Sequence, residues 1–258
     1  MKHILSIIFL LSCFVGQAQK KQDAFETGEW FKFRIHYGII NASYATLEVK
    51  DGSLDGKNVY HVVGNGKTTG FASIFFKVND NYESYFDKKT GKPYKFIRNI
   101  DEGGHTKNVE IDFDYKKKKA LVNNKKHNTK SEYDIEKNVQ DMVSAFYYLR
   151  NNYDVTKIKE GEEVVLNMFF DKENFKFKLK FLGRETMKTK FGKVPCLKFR
   201  PYVQAGRVFK ESESLTLWVS DDENRVPIRI KAKLMVGSLK ADLDAFKGLK
   251  HPFKILVD

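Results

Sequence analysis

The feature of this sequence that most constrains its fold is an alternation of apolar and polar residues with a period of two. Successive side chains of a β-strand point to opposite faces of a sheet, so a strand that is dry on one face and wet on the other alternates in this way. Five runs show the pattern, at residues 31–37, 109–115, 175–181, 215–219 and 228–234. Turn signals such as Asp55-Gly56 and Gly103-Gly104 separate such runs. The sequence therefore predicts a mainly β fold, a curved antiparallel sheet or half-barrel of about a dozen strands.

One stretch follows a helical period instead. Between Val139 and Arg150 apolar residues recur at spacings of three and four, with Asp141 near the start and Arg150 at the end, as the helix dipole favours. This predicts one mid-chain helix that plugs or caps the sheet. Residues 239–246 fit both periods, and we expect a strand there. No Pro- or Ser-rich linker divides the chain, so residues 23–258 are expected to form a single β-rich domain.

The N-terminus has the pattern of an export signal. A short basic start and an apolar stretch at residues 4–15 precede a small-x-small cleavage site that ends at Ala18. The stretch is shorter than the roughly 20 apolar residues that span a bilayer. We expect residues 1–18 to be a signal peptide and the mature protein to reside in the periplasm or outside a Gram-negative cell. The alternative is a lipoprotein anchored through Cys13, because a Leu and small residues precede that Cys.

The charge balance points to anionic partners. Forty-six Lys and Arg against 33 Asp and Glu give a formal net charge of +13, which favours an anionic membrane surface, envelope glycans or nucleic acid. An exported protein meets little nucleic acid, so we expect no nucleic-acid partner. If Cys13 leaves with the signal, Cys196 has no internal disulfide partner, and we interpret it as a small buried residue rather than a nucleophile.

Motifs for cofactors and metals are incomplete. Residues 64–68 imitate the end of a phosphate-binding loop, but the first Gly of that motif is replaced by His61. We expect no cofactor. The histidines lack the spacing of a metal site, with His36 expected on a polar strand face and His61 in the interior. The acidic run at residues 221–224 lacks the spacing of a calcium loop and predicts a turn.

One constellation has acid–base potential, namely Asp101, Glu102 and His105 around a glycine turn. It supports an alternative function, an enzyme acting on envelope glycans or lipids. We favour a structural hairpin and a protein that is not an enzyme, since no complete nucleophile, metal or acid–base set accompanies these residues.

Aromatic residues are abundant, with 22 Phe and 12 Tyr, and they either fill a core or line an apolar cavity. One apolar cluster fits neither period: Phe71, Ile74, Phe75 and Phe76. Period two places its members on both faces of a strand, so they cannot all enter one core. We expect this cluster, with Lys67 and Lys77 beside it, to form the ligand-binding lip of an apolar hollow and to touch lipid or a partner. A bulged strand with both faces covered is the alternative.

Several landmarks resemble a known family. They are Thr27 to Gly38, Gly70 to Asp80 with Tyr82 and Ser84, Glu102 and Gly103, Ala145 to Arg150, Gly192 to Cys196, Leu217 to Asp222, Val226 to Ile228, and Gly237. Together they resemble the exported bacterial family known as domain of unknown function number thirty-one hundred and eight, over residues 25–246. That resemblance implies membership and brings no activity or catalytic residues.

A looser similarity links residues 215–230 to the periplasmic lipoprotein localisation factors, in which a strand ending in Trp or Tyr and an acidic turn lead to a Pro-started strand. It implies an antiparallel half-barrel with an apolar concave face and a helical lid. The sequence thus favours an envelope binding or carrier module for a lipid or other apolar ligand. The alternatives are the enzyme and a structural partner in an envelope assembly, and the oligomeric state stays open.

Overall fold

The computed structural model describes residues 23–70, 73, 76–202 and 215–256. Over these residues fourteen antiparallel strands form one sheet, which confirms the predicted mainly β class. The strands are β1 (Trp30–Tyr37), β2 (Ile40–Leu54), β3 (Lys57–Thr68), β4 (Asn79–Asp87), β5 (Pro93–Glu102), β6 (His105–Asp114), β7 (Lys119–Asn124), β8 (Thr129–Asp134), β9 (Glu163–Phe170), β10 (Glu173–Thr189), β11 (Gly192–Tyr202), β12 (Leu215–Ser220), β13 (Pro227–Lys233) and β14 (Ser238–Lys247).

The first and last strands lie side by side in the middle of the sheet. The spatial order is β8-β7-β6-β5-β4-β3-β2-β1-β14-β13-β12-β11-β10-β9, so β1 pairs with both β2 and β14. One wing of the sheet is a meander from β2 to β8, and the other is a meander from β14 back to β9. The stretch with an ambiguous period, residues 239–246, is part of β14, as expected.

The two edges of the sheet approach each other without pairing as strands. The backbone of Gln140 bonds to β9, donating to the Asn167 carbonyl at 2.9 Å and accepting from the Phe169 amide at 3.0 Å. The Asn174 side chain donates to the carbonyl of Asp134, at the end of β8. The sheet is therefore strongly curved but is not closed into a barrel.

Helix α1 (Met142–Asn152) begins three residues later than the spacing predicts. The reason is that Gln140 pairs with β9, while Asp141 is extended and caps the helix by accepting from the Val143 and Ser144 amides. Burial raises the pKa of Asp141 to about 6. No helix among the described residues is both long enough and apolar enough to cross a membrane.

The helix fills the concave side of the β2–β8 wing. Tyr147 is 1% exposed, and its ring packs against those of Phe25 and Phe86 at centroid distances of 4.6 and 5.7 Å. Phe96 and Ile111 complete this cluster. In this wing the aromatic side chains fill a core, as one of the two sequence interpretations proposed.

Because consecutive strands run in opposite directions, alternate connections lie at the same end of the sheet. We call the upper end the one that carries the β1–β2, β3–β4, β5–β6, β9–β10 and β13–β14 connections. The lower end carries the N-terminal residues 23–29, the β12–β13 turn and residues 248–256.

Candidate ligand-binding site

In the wing from β14 to β9, we call the face directed toward α1 the inner face. This inner face carries continuous rows of apolar side chains. Directly paired residues point to the same face of a sheet, so the strand register defines each row. The first row crosses six strands: Phe181, Phe199, Leu217, Ile230, Ala241 and Ile35. The second row lies closer to the upper end: Leu215, Ala232, Leu239, Tyr37 and Ile40.

The opposite, outer face of the same strands carries most of their charged side chains, whereas Trp218 on that face belongs to a buried apolar cluster with Met187 and Cys196. One outer row contains Lys198, Trp218, Arg229, Asp242, Arg34, Tyr44 and Lys67. The next contains Thr216, Lys231, Lys240, His36 and Asn41. The predicted alternation therefore extends across strands, with apolar rows on the inner face and mostly polar or charged rows on the outer face.

Part of the inner face is left uncovered. Ile230 is 41% exposed, Tyr37 39% and Leu239 36%. Beneath them a cavity of about 60 Å³ lies between α1 and the sheet. Its wall comprises Phe146, Leu149, Tyr153, Val155, Val164, Leu179, Phe199, Leu217 and Val219, with Arg150 and Arg225. The uncovered rows and the cavity are lined mainly by apolar side chains, and such a surface is a candidate site for an apolar ligand.

Two arginines bring charge to this otherwise apolar space. Arg225 donates to the carbonyl of Arg150, and its Nε has no hydrogen-bond partner among the described residues. Burial lowers the pKa of Arg225. The Nε of Arg225 is therefore a buried donor that no described residue satisfies, on a side chain that lines the cavity.

The lower end of this wing is sealed by a buried ion pair. Arg150 is 3% exposed and donates to both carboxylate oxygens of Glu29, each at 2.6 Å, and to the carbonyls of Asn224 and Ala24. Burial raises the pKa of Glu29, and the charge of Arg150 opposes that rise. Asn224 in turn bonds to the backbone of His251, which ties the C-terminal segment to this end.

The predicted lip is described only in part. Phe71, Ile74 and Phe75 lie outside the described residues. Phe76 is 54% exposed, and its ring covers Gly103, where an added Cβ would lie 2.4 Å from that ring.

The two lysines predicted beside the lip are both exposed. Lys77 accepts a backbone hydrogen bond from Gly103, whereas Lys67 lies on β3 opposite Tyr44 and Asn79. All of these residues lie at the upper end.

The candidate acid–base constellation is divided between the two faces of the sheet. Glu102 pairs with His105, whereas Asp101 points to the opposite face and accepts from the Gly104 amide. Glu102 instead affects the pKa of Asp80. The sequence does not indicate this pair, because Asp80 lies on another strand. Burial, together with the charge of Glu102, raises the pKa of Asp80 to about 6.

The histidines take part in separate side-chain contacts. His36 lies on the polar face, as expected, and bonds to Asp242 at 3.0 Å. The expectation that His61 lies inside is wrong. It is half-buried on the outer face, where it bonds to Glu83 at 2.7 Å and stacks on Tyr85, because its neighbours on the strand, Tyr60 and Val62, take the inner face.

The remaining motifs have structural roles. Residues 64–68 lie within strand β3, so they form no loop that could hold a phosphate. In the acidic turn, Asp222 accepts from the Ser220 hydroxyl and from the Asn224 and Arg225 amides. Cys196 is 1% exposed, and burial raises its pKa to about 12. No group of three potential metal-ligating His, Cys, Asp or Glu side chains occurs in the described ranges.

The sequence predicts the apolar face of each strand but not the rows that these residues form across the strands. Ile35, Leu217 and Ile230 belong to the apolar phases of three separate runs, and only the register places them side by side.

Comparisons with known proteins give a family and a fold. A family model described as "Protein of unknown function (DUF3108)" matches residues 32–244. No curated protein matches the sequence. A β-barrel-like protein of domain of unknown function DUF1849 from Brucella abortus is similar in structure, with a TM-score of 0.55 and 8% identity over 86% of this chain and 98% of that chain. A candidate lipoprotein from Parabacteroides distasonis matches at a TM-score of 0.34 and 12% identity, over 89% of this chain and 100% of that chain.

Proposed function

Since the chain belongs to the DUF3108 family of proteins of unknown function, which brings no activity with it, we propose from the structure that it is a binding or carrier module for an apolar or lipid-like ligand. The observation that carries this proposal is the pair of apolar rows on the inner face of β12, β13, β14 and β1. Exposed apolar area costs about 25 cal/mol per Å² relative to burial. A ligand that covers Ile230, Leu239 and Tyr37 recovers this free energy.

The chemistry of the ligand follows from the lining. The rows suit an acyl chain lying along the inner face, because the side chains of the rows are almost entirely hydrocarbon. The cavity of about 60 Å³ has room for one end of such a chain. The partner-free Nε of Arg225 suits an acidic group at the end of that chain. A fatty acid or a related acidic amphiphile meets both requirements.

The upper end is the proposed entrance. The second row lies close to that end, and the proposed lip of Phe71, Ile74, Phe75 and Phe76 with Lys67 and Lys77 would border it. The apolar N-terminal stretch supports export, so the ligand is proposed to come from the cell envelope.

Titration with cis-parinaric acid, a fluorescent fatty acid, tests the proposal. We expect saturable binding by the wild type and at least about tenfold weaker binding by Ile230→Gln, which places an amide in the first row. Val165→Gln is the matched control, because Val165 is 48% exposed but its neighbour Val164 is the residue that faces the cavity. The control should bind within about twofold of the wild type.

The same titration distinguishes the role of the acidic group. The wild type should bind the methyl ester of the probe more weakly than it binds the acid. The variant Arg225→Gln should bind the ester and the acid equally. Absence of saturable binding by the wild type, or equal losses in Ile230→Gln and Val165→Gln, would overturn the proposed function.

A further inference from the structure

Two neighbouring turns at the upper end expose apolar residues to solvent. At the β1–β2 turn Ile39 is 99% exposed, and Ile40, the first residue of β2, is 59% exposed. The β13–β14 turn exposes Met235 by 88%, Val236 by 76% and Leu234 by 42%. Isolated exposed apolar residues are common, but five in two adjacent turns form a patch of the kind that marks an interaction site. We call these five residues the apolar tips.

The two turns are fixed against each other. Tyr37 pairs with Leu239 across β1 and β14, and its hydroxyl donates to the carbonyl of Val236 at 3.0 Å. Gly237 has a φ of +72°, and a Cβ there would lie 2.6 Å from the Tyr37 oxygen. The close packing of Tyr37 on Gly237 therefore presents the apolar tips as one surface.

Turn formation does not explain these residues. Two-residue hairpin turns favour Gly, Asn and Asp, and the β1–β2 turn meets this requirement only with Gly38, which has a φ of +54°. The β-branched Ile39 beside it is 99% exposed and is not a residue that such a turn favours. Residues that depart from the local sequence preference of their structural element are often found at functional sites.

The adjoining outer face is basic. Lys231 and Lys240 are paired directly across β13 and β14, and like charges in such a pair repel each other. Lys233 lies at the end of the same strand, before the turn. These three lysines make no ion pair with any residue in the described ranges, whereas the nearby Asp242 is bonded to Arg229 and His36. A dense anionic partner would relieve this repulsion.

From this combination we infer that the apolar tips insert into the surface of a lipid bilayer that contains anionic lipid. Apolar side chains that enter the acyl boundary while lysines contact anionic headgroups are the usual chemistry of interfacial binding. The inference goes beyond the proposed function, because the tips would dock on a bilayer whether or not the inner rows hold a ligand. It also places the inner rows next to the bilayer, with which a ligand could exchange, since the second row ends at Tyr37 and Ile40 beside the apolar tips.

Vesicle co-sedimentation tests the inference. The wild type should bind vesicles of phosphatidylglycerol and phosphatidylethanolamine and should bind vesicles of phosphatidylcholine much less. The double variant Ile39→Asp/Met235→Asp should bind the anionic vesicles at least about tenfold more weakly, with an unchanged Tm. Lys231→Gln/Lys240→Gln should bind more weakly and should lose the salt dependence of the wild type. The control Val165→Asp replaces an exposed apolar residue on another strand and should bind normally.

Other outcomes overturn the inference. Equal binding by the tip variant and the wild type would place the membrane contact elsewhere or nowhere. If light scattering shows that the wild type self-associates and the tip variant does not, the tips contact a second copy of the chain instead. Binding of cis-parinaric acid by the tip variant should remain normal, so a failure of the proposed function and a failure of membrane docking give different results.

Discussion

The ion pair between Arg150 and Glu29 allows a quantitative test of what holds the lower end together. Arg150 donates four hydrogen bonds, two to Glu29 and one each to the carbonyls of Asn224 and Ala24. In Arg150→Met, a carboxylate that is 0% exposed loses its counter-charge and two carbonyls lose a donor. Removal of one partner of such a buried pair costs about 3 to 5 kcal/mol, a large part of a typical folding free energy of about 5 to 15 kcal/mol.

Urea unfolding, followed by the fluorescence of Trp30 and Trp218, measures this free energy. The control is Lys178→Met, which breaks an exposed pair with Glu163 and should cost less than about 1 kcal/mol. The double variant Glu29→Gln/Arg150→Met should be more stable than Arg150→Met alone, because no buried charge is left without a partner.

The pH dependence has a defined sign. Without Arg150, the pKa of Glu29 in the folded state lies above its unfolded value, so the folded variant takes up a proton and its stability deficit shrinks as pH falls. A loss of less than about 1 kcal/mol in Arg150→Met at neutral pH, or a double variant that is less stable than the single one, would refute this reasoning.

Three further predictions concern other parts of the fold. Asp80 has a folded pKa of about 6, above its ordinary value, so its contribution to stability is complete below about pH 3.8 and is lost as pH rises through 6. Thermal melting should therefore show a higher Tm for Asp80→Asn than for the wild type at pH 7 and a flatter pH profile, and an unchanged profile would contradict the raised pKa. The buried Cys196 thiol, with a pKa of about 12, should resist iodoacetamide at pH 8 in the folded protein and react in urea, and equal rates in both states would contradict its burial. Gly237→Ala should lower the Tm more than Gly56→Ala. The backbone strain is similar, because φ is +72° at Gly237 and +74° at Gly56, but of these two glycines only Gly237 contacts Tyr37. Equal decreases in Tm would show that this contact tolerates a methyl group.

The strands and the helix could be predicted because their signals are local. Phe31 to Tyr37 and Phe175 to Phe181 alternate within one run each, and the period of Val139 to Arg150 is contained in three turns. The helix start was misplaced because Gln140 pairs with β9, a contact that no local pattern contains.

The candidate site depends on long-range register instead. Ile35 and Ala241 are about two hundred positions apart in the sequence and directly opposite in the sheet. The prediction for His61 is wrong for the same reason. Alternation identifies the two faces of a strand but does not say which face packs against the helix. Asp80 and Glu102 likewise become neighbours only through β4 and β5.

The adjacency of β1 and β14 also has a consequence for how the chain acquires its structure. During synthesis the β2–β8 meander can form from near neighbours, but one backbone edge of β1 has no partner until residues 238–247 have emerged. An unpaired strand edge is a template for intermolecular pairing. The pairing of β1 with β14 therefore cannot form before the last strand is available, and a nascent or truncated chain that lacks this strand exposes an unpaired strand edge that is central in the complete sheet.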